Sequence, residues 1–442
     1  MTTAEGASWF TRHALLPSGP ARDVRFEIAG GRFTSVVADT EPNGAQLLPG
    51  VVLPGFANGH SHAFHRALRG RTQGGGGTFW TWRQQMYGLA GRLDPDRYLA
   101  LARAAYAEMA LAGVTAVGEF HYLHHGPGGR PYDDPNAMAE ALRVAAAEAG
   151  VRLTLLDACY LAGGLGADGH TPLDEVQQRF SDGDADRWAK RVAGLREDAN
   201  TRIGTAIHSV RAVPRDAFEA VRHVTPGRPL HVHLSEQVAE NEACREFYHC
   251  TPTALLDDAG VLTPATTAVH ATHVTADDVQ RLSTAHAAVC LCPTTERDLA
   301  DGIGPAREFV DTGVPLSVGS DQHAVVDPFE EARGVEMHER LVERRRGRFS
   351  PADLLDMLTR HDRIGWPDAG HLAVGQRADL VAVRLDSVRT AGCDPAQVLF
   401  AATAADVDTV LSDGRRVVAG GQHLLGDVGA LLTDAIEAAW RD

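Results

Sequence analysis

The chain has 442 residues, of which 44% are hydrophobic and 23% charged, and a formal net charge of −16. That is material for one large domain and a small one, in the composition range of an ordinary globular protein. The acidic balance excludes nucleic acid and anionic membrane surfaces as partners, while a local arginine pocket can still take a small anion.

Up to Val52 the chain reads as short strands and turns, with DVRFEIAGGRFTSVV forming a hairpin around Gly30-Gly31. From Leu53 to Trp366 strands alternate with helices. VVLPGFA opens the series as its first strand. DPDRYLALARAAYAEMALAG is a helix with Asp94 as its N-cap, Pro95 at its first position and Gly113 as its stop. Strand VTAVGEF, helix PNAMAEALRVAAAEAG and strand VRLTLLDACY follow, then strands at TRIGTAIHS, PLHVHLS, TTAVHATH, AAVCLCP and PLSVGSD. Eight strands separated by helical stretches predict an α/β fold, a (β/α)₈ TIM-like barrel over 53–366. After Trp366 short strands return in GQRADLVAVRL and TVLSDGRRVVAGG, before a last helix in DVGALLTDAIEAAW. The β-rich ends, 1–52 and 367–442, are expected to pair into one small β-sandwich domain.

The start lacks a basic region followed by an apolar stretch, so no signal peptide is expected. No apolar run approaches the ~20 residues that span a bilayer, and the expected location is the cytoplasm. The six cysteines are scattered and suggest no disulfide framework. Cys290 and Cys292 lie at i, i+2 in an apolar strand, and without a second pair they read as small core residues.

Active sites of such barrels lie at the C-terminal ends of the strands. There the chain places His60 and His62 on the first strand, His208 on a middle one, and His233, His270 and Asp321 on three later ones. Residues i and i+2 of a strand share a face, so His60 and His62 aim into one cavity. Imidazole and carboxylate ligands suit a divalent cation such as zinc, with one position open for water. His231 shares a face with His233 but sits one layer deeper, where it packs or supports. Glu236 follows as the chain turns out of its strand, where a carboxylate can move the proton of an activated water, and Asp321 could do the same. No lysine ends a middle strand to bridge a second metal, so one ion per chain is expected.

The HxH, HxxE, His and SD series resembles the amidohydrolase superfamily, in its mononuclear deaminase branch, and GQRADLV and LSDGRRVV resemble that superfamily's C-terminal β domain. HSHAFHRALRG, TFWTWRQQMY, GEFHYLHH, HSVRAV and TTERDLADGI resemble, more narrowly and through nearly the whole chain, the formimidoylglutamate deiminase family. The resemblance implies a hydrolase of histidine degradation that converts N-formimino-L-glutamate to N-formyl-L-glutamate and ammonia. It implies one Zn²⁺, with Fe²⁺ as the alternative, held by His60, His62, His233 and Asp321, and catalytic roles for Glu236, His270 and Asp321. Substrate contacts fall on Arg83, Tyr122, His208 and Arg211, and Arg83 is expected to serve the neighbouring subunit of a homodimer. Arginine suits a dicarboxylate because its fork binds carboxylate bidentately. His65 stands where typical members have glutamine; it is taken as a further substrate contact that changes reach and can titrate near neutrality. Among His121, His124 and His125 the functional member is expected to be the intervening Tyr122. Two other readings stand beside this one: a deaminase of another amidine, a guanidine or an aminated ring, and a non-catalytic barrel protein that has lost its metal.

Overall fold

The computed structural model describes residues 6–74 and 76–441. Residues 1–5 and 442, which fall in the expected end-built domain, and residue 75 lie outside the described residues.

Eight parallel strands form the barrel: β1 (Phe56–Ser61), β2 (Val114–His121), β3 (Arg152–Cys159), β4 (Thr201–Ser209), β5 (Leu230–Leu234), β6 (Thr266–His270), β7 (Ala288–Leu291) and β8 (Leu316–Val318). Neighbours in sequence are neighbours in the sheet, from β1 through β8. Every residue of β2 and β3 is buried, as expected of strands with helices on one face and a filled barrel on the other. The connecting helices start and stop where local chemistry dictates. The helix Pro95–Leu111 begins at Asp94, whose carboxylate accepts from the Arg97 N–H at 2.8 Å. It ends before Gly113, whose φ of +97° is costly for any residue with a Cβ.

The barrel closes at a short seam between β8 and β1. Asp321 N–H donates to the His60 carbonyl, and His62 N–H to the Asp321 carbonyl, each at 3.0 Å. Asn58 supports the seam, its Oδ1 accepting from Ser320 N–H at 2.9 Å and its Nδ2 donating to Ser320 Oγ at 2.7 Å. Gly319 lets the two chains approach, since a β-carbon there would lie 2.7 Å from both the N and the O of His60.

The two chain ends build a nine-stranded sheet. Its N-terminal part includes Ala7–Leu16, Gly19–Ala29, Arg32–Val37 and Val51–Pro54, with Gly30 and Gly31 at φ +58° and +76° making the expected hairpin turn. Its C-terminal part includes Leu380–Val383, Val407–Ser412 and Arg415–Ala419, and the halves join where Val51–Pro54 pairs antiparallel with Leu380–Val383. The run VVLPGFA, expected as one barrel strand, is therefore two. Gly55 separates the sheet strand Val51–Pro54 from β1 because a β-carbon there would sit 2.6 Å from Thr115 and 2.9 Å from Asp379. The sheet is tied to the barrel by a buried ion pair between Asp379 and Arg152 at the start of β3.

Candidate metal centre and active site

His60 and His62 lie at the end of β1, His233 one residue before the end of β5, and Asp321 just beyond β8, and all four are buried. Their imidazole Nε2 atoms face one another, His60 to His62 at 3.1 Å, His60 to His233 at 3.1 Å and His62 to His233 at 3.4 Å. Asp321 Oδ1 lies 3.4 Å from His60 Nε2 and 3.3 Å from His62 Nε2.

The second ring nitrogens decide what this triangle is. His62 Nδ1 lies 2.9 Å from the Phe120 carbonyl, and His233 Nδ1 2.9 Å from the His208 carbonyl. A carbonyl can only accept, so both protons sit on Nδ1 and both Nε2 atoms present lone pairs to each other. Two lone pairs at 3.4 Å repel unless a cation lies between them. Tetrahedral coordination with bonds of about 2.0–2.1 Å sets ligand atoms roughly 3.3–3.4 Å apart, close to the observed spacings. Burial pulls His60 down to about 3 and also lowers His62 and His233, keeping the imidazoles in their neutral, ligating form. Burial would raise the Asp321 carboxyl, but the hydrogen bond with His60 and the positive charge of His270 hold it well below the usual range. The four side chains fit a divalent cation. The His208 carbonyl is available because β4 and β5 shift register between Ile207 and Ser209, a bulge at His208.

A second group adjoins the first. His270 Nε2 lies 3.7 Å from Glu236 Oε1 and 3.8 Å from Asp321 Oδ2, and its Nδ1 lies 3.5 Å from Glu296 Oε1. Burial alone would depress the His270 imidazole, but Glu236, Glu296 and Asp321 outweigh it and lift it to about 10. Burial raises the Glu236 carboxyl against the pull of His270 and Arg211, so it can both hold and release a proton. Arg211 donates from Nη2 to Glu236 at 3.3 Å and from Nε to Glu240 at 2.8 Å. Ser235, His270 and Asp321 take positive φ values of 49°, 68° and 43°. Left-handed backbone costs a non-glycine residue about 1–3 kcal/mol and gathers where side chains must be aimed.

A cavity opens over these groups, lined by His62, His233, Glu236, His270 and Asp321 and also by His65, Arg83, Tyr122, His208 and Arg211. All the site residues expected from the sequence except His60, which lies beneath the cavity, reach its wall. A model of the amidohydrolase family matches residues 51–417, and a model of the N-terminal domain of formimidoylglutamate deiminase HutF matches residues 9–48. The chain belongs to the amidohydrolase family. This amidohydrolase is 37% identical to the formimidoylglutamate deiminase of Pseudomonas aeruginosa, over 94% of this chain and 95% of that one. It is 31% identical to the 8-oxoguanine deaminase of the same organism, over 86% and 85%. Among solved structures, an amidohydrolase from Brucella melitensis superposes with a TM-score of 0.91 at 33% identity, covering 98% of this chain and all of that one.

Two expectations need correction. Arg83, expected to serve a neighbouring subunit, lines the cavity of its own chain, because the helix Phe79–Ala90 folds back over the barrel mouth; it rests against the rings of Trp80 and Tyr87. His65, expected to titrate near neutrality, is held far below it by burial and by His62, and it lies 2.8 Å from the Tyr122 hydroxyl. His231 lies deeper, 3.5 Å from the Arg363 carbonyl. The chain's one lysine, Lys190, is exposed on the helix Ala185–Val192, so this amidohydrolase has no lysine to bridge a second metal. His121 and His124 form a group with Asp157, but Arg191 donates to both Asp157 oxygens at 2.9 Å, and its charge repels a cation there. Sequence reasoning missed Glu119, which accepts from Ser61 Oγ at 2.7 Å, and Glu240 and Glu296, which hold Arg211 and His270. Glu296 lies in the quoted TTERDLADGI and was the one within reach; the others depend on partners far away in sequence.

Proposed function

We propose that this amidohydrolase hydrolyses N-formimino-L-glutamate to N-formyl-L-glutamate and ammonia, a step of histidine degradation. The observation that carries the reading is the meeting of Arg83 and Arg211 with the His/Asp group and Glu236 in one cavity. Arg83 has no carboxylate partner among the described residues and is free for one end of a dicarboxylate.

On this reading His60, His62, His233 and Asp321 hold one zinc ion per chain, with iron(II) as the alternative. Zinc, when bound, lowers the pKa of water and supplies a nucleophile at neutral pH. Glu236 takes a proton from the attacking water and delivers it to the nitrogen that leaves as ammonia. His270, protonated and steadied by Glu296, faces the growing negative charge on the oxygen. Arg211 aligns Glu236 while its free Nη1 and Arg83 receive the substrate carboxylates, with His65, Tyr122 and His208 as further polar contacts. Water and the C=NH group become C=O and NH₃, with no redox partner. The reading includes a composite end domain of 1–52 and 367–442 beside a barrel of 53–366, and a cytoplasmic homodimer, as the resemblance implies. No helix among the described residues is long and apolar enough to cross a membrane.

A second reading has its own support. Phe79, Trp82, Tyr87, Tyr122, Tyr160 and Phe180 also line the cavity, and aromatic walls suit a flat ring. The two are separated by assaying ammonia release from N-formimino-L-glutamate and from aminated purines with the zinc-loaded protein. Turnover of the first and not of the second is expected; the reverse would replace the proposal by the ring deaminase.

A further inference from the structure

β7 sends no ligand to the group described above, yet it ends beside that group in Cys292. Cys292 Sγ, a ring nitrogen of His270 and a carboxylate oxygen of Asp321 lie within 4.8 Å of one another, and all three residues are buried. The Asp321 carboxylate faces two ways: Oδ1 lies toward His60 and His62 at 3.4 and 3.3 Å, and Oδ2 toward His270 Nε2 at 3.8 Å. One oxygen is therefore available to each of two adjoining positions. Cys290, two residues earlier on β7, lies deeper, where its Sγ would be 3.0 Å from a β-carbon built on Gly59. That packing holds Cys290 under β1 and leaves Cys292 as the thiol nearer the cavity.

We propose that Cys292, His270 and Asp321 form a second site for a thiophilic divalent cation, and that filling it switches the enzyme off. Thiolate, imidazole and carboxylate together are the donor set of zinc and cadmium, and the thiolate favours the softer ion. Glu236 and Glu296 flank His270 and add negative charge that offsets a second divalent ion beside the first. As the metal–sulfur bond forms, the thiol proton of Cys292 leaves to solvent, as does any proton on His270 Nε2. The ion then occupies His270 and Asp321 Oδ2 and withdraws both from the hydrolysis. The inhibitory half of this proposal rests on the functional reading above; the site itself does not.

The test adds cadmium chloride to the zinc-loaded protein and reads three quantities: zinc and cadmium per chain after desalting, the ultraviolet charge-transfer absorption of a cadmium thiolate, and ammonia release. One extra cadmium per chain with zinc retained, a charge-transfer band and loss of activity are expected. Cys292→Ala should lose the band and need at least about 100-fold more cadmium for inhibition, since even lost supporting contacts weaken metal sites 10- to 100-fold. Cadmium that merely replaces zinc, or equal inhibition of Cys292→Ala, overturns the site. If Cys292→Ala does not fold, Cys292→Ser and the wild-type stoichiometry and band still decide. A chain that takes up the extra cadmium through Cys292 but never releases ammonia from N-formimino-L-glutamate refutes the functional reading and leaves the site standing.

Discussion

Replacing Arg211 by methionine keeps much of the side-chain volume and removes the charge. Arg211 is 9% exposed and bonds to Glu240 at 2.8 Å and to Glu236 at 3.3 Å, and both carboxylates are buried. The variant leaves the buried Glu240 carboxylate without its counter-charge and Glu236 with His270 alone. Removing one partner of a buried pair costs about 3–5 kcal/mol, much of it from the charge left behind. If that cost fell wholly on the transition state, kcat/KM would drop roughly 10²–10⁴-fold. Burial raises both carboxyls and Arg211 opposes it, so without Arg211 both retain protons to higher pH. Glu236 must give up its proton before it can accept another from water, so the rise of activity with pH should move to the alkaline side. The assay is ammonia release across pH from N-formimino-L-glutamate and from an amidine without carboxylates, alongside thermal denaturation. Both substrates should suffer, the dicarboxylate more. Thermal stability should fall, and Arg211→Met combined with Glu240→Gln should recover part of it, because one stranded charge is then gone. An unchanged melting temperature with full activity on the amidine would refute the reasoning, leaving Arg211 as a grip on substrate that does not hold Glu236.

Glu236→Gln should keep its metal and lose at least ~10²-fold in turnover, as expected for a missing proton carrier; near-normal turnover would pass that role to another group. Elemental analysis of the purified protein should return close to one zinc-type ion per chain in the absence of added metal. His65→Gln should change kcat/KM by no more than about tenfold, because His65 is neutral and one uncharged hydrogen bond is worth about 0.5–1.5 kcal/mol. Burial would raise the Asp379 carboxyl, but Arg152 outweighs it and holds it down. Its contribution to stability is therefore present above about pH 4 and lost on acidification below that. Arg152→Met should remove this acid sensitivity together with about 3–5 kcal/mol of stability, read by denaturation at neutral pH.

The His/Asp group was legible in the sequence because barrel strands carry a period of two and end abruptly, so His60, His62, His233, His270 and Asp321 stand out at the close of apolar runs. The boundary at Gly55 was not legible, because VVLPGFA runs apolar across it and only their different partners tell Val51–Pro54 from Phe56–Ser61. Nor could the sequence say that His65 is neutral, since that follows from complete burial beside His62. Glu119 and Glu240 look like ordinary acidic residues until Ser61 and Arg211 are brought to them from 58 and 29 residues away. Motifs announce donors; their counter-charges come from tertiary packing.

The seam between β8 and β1 also sets the order of events in the life of the chain. The backbone bonds that close the barrel run between His60, His62 and Asp321, so the residues that gather the ion are the ones that finish the fold. A chain still being synthesised, with Asp321 inside the ribosome, can offer three imidazoles but neither the fourth ligand nor a closed barrel. On the proposed ligation, tight loading would wait until Asp321 has left the ribosome, and the ion, once seated, would act as a clasp between the first barrel strand made and the last. Stripping it should loosen the barrel along that line before any other.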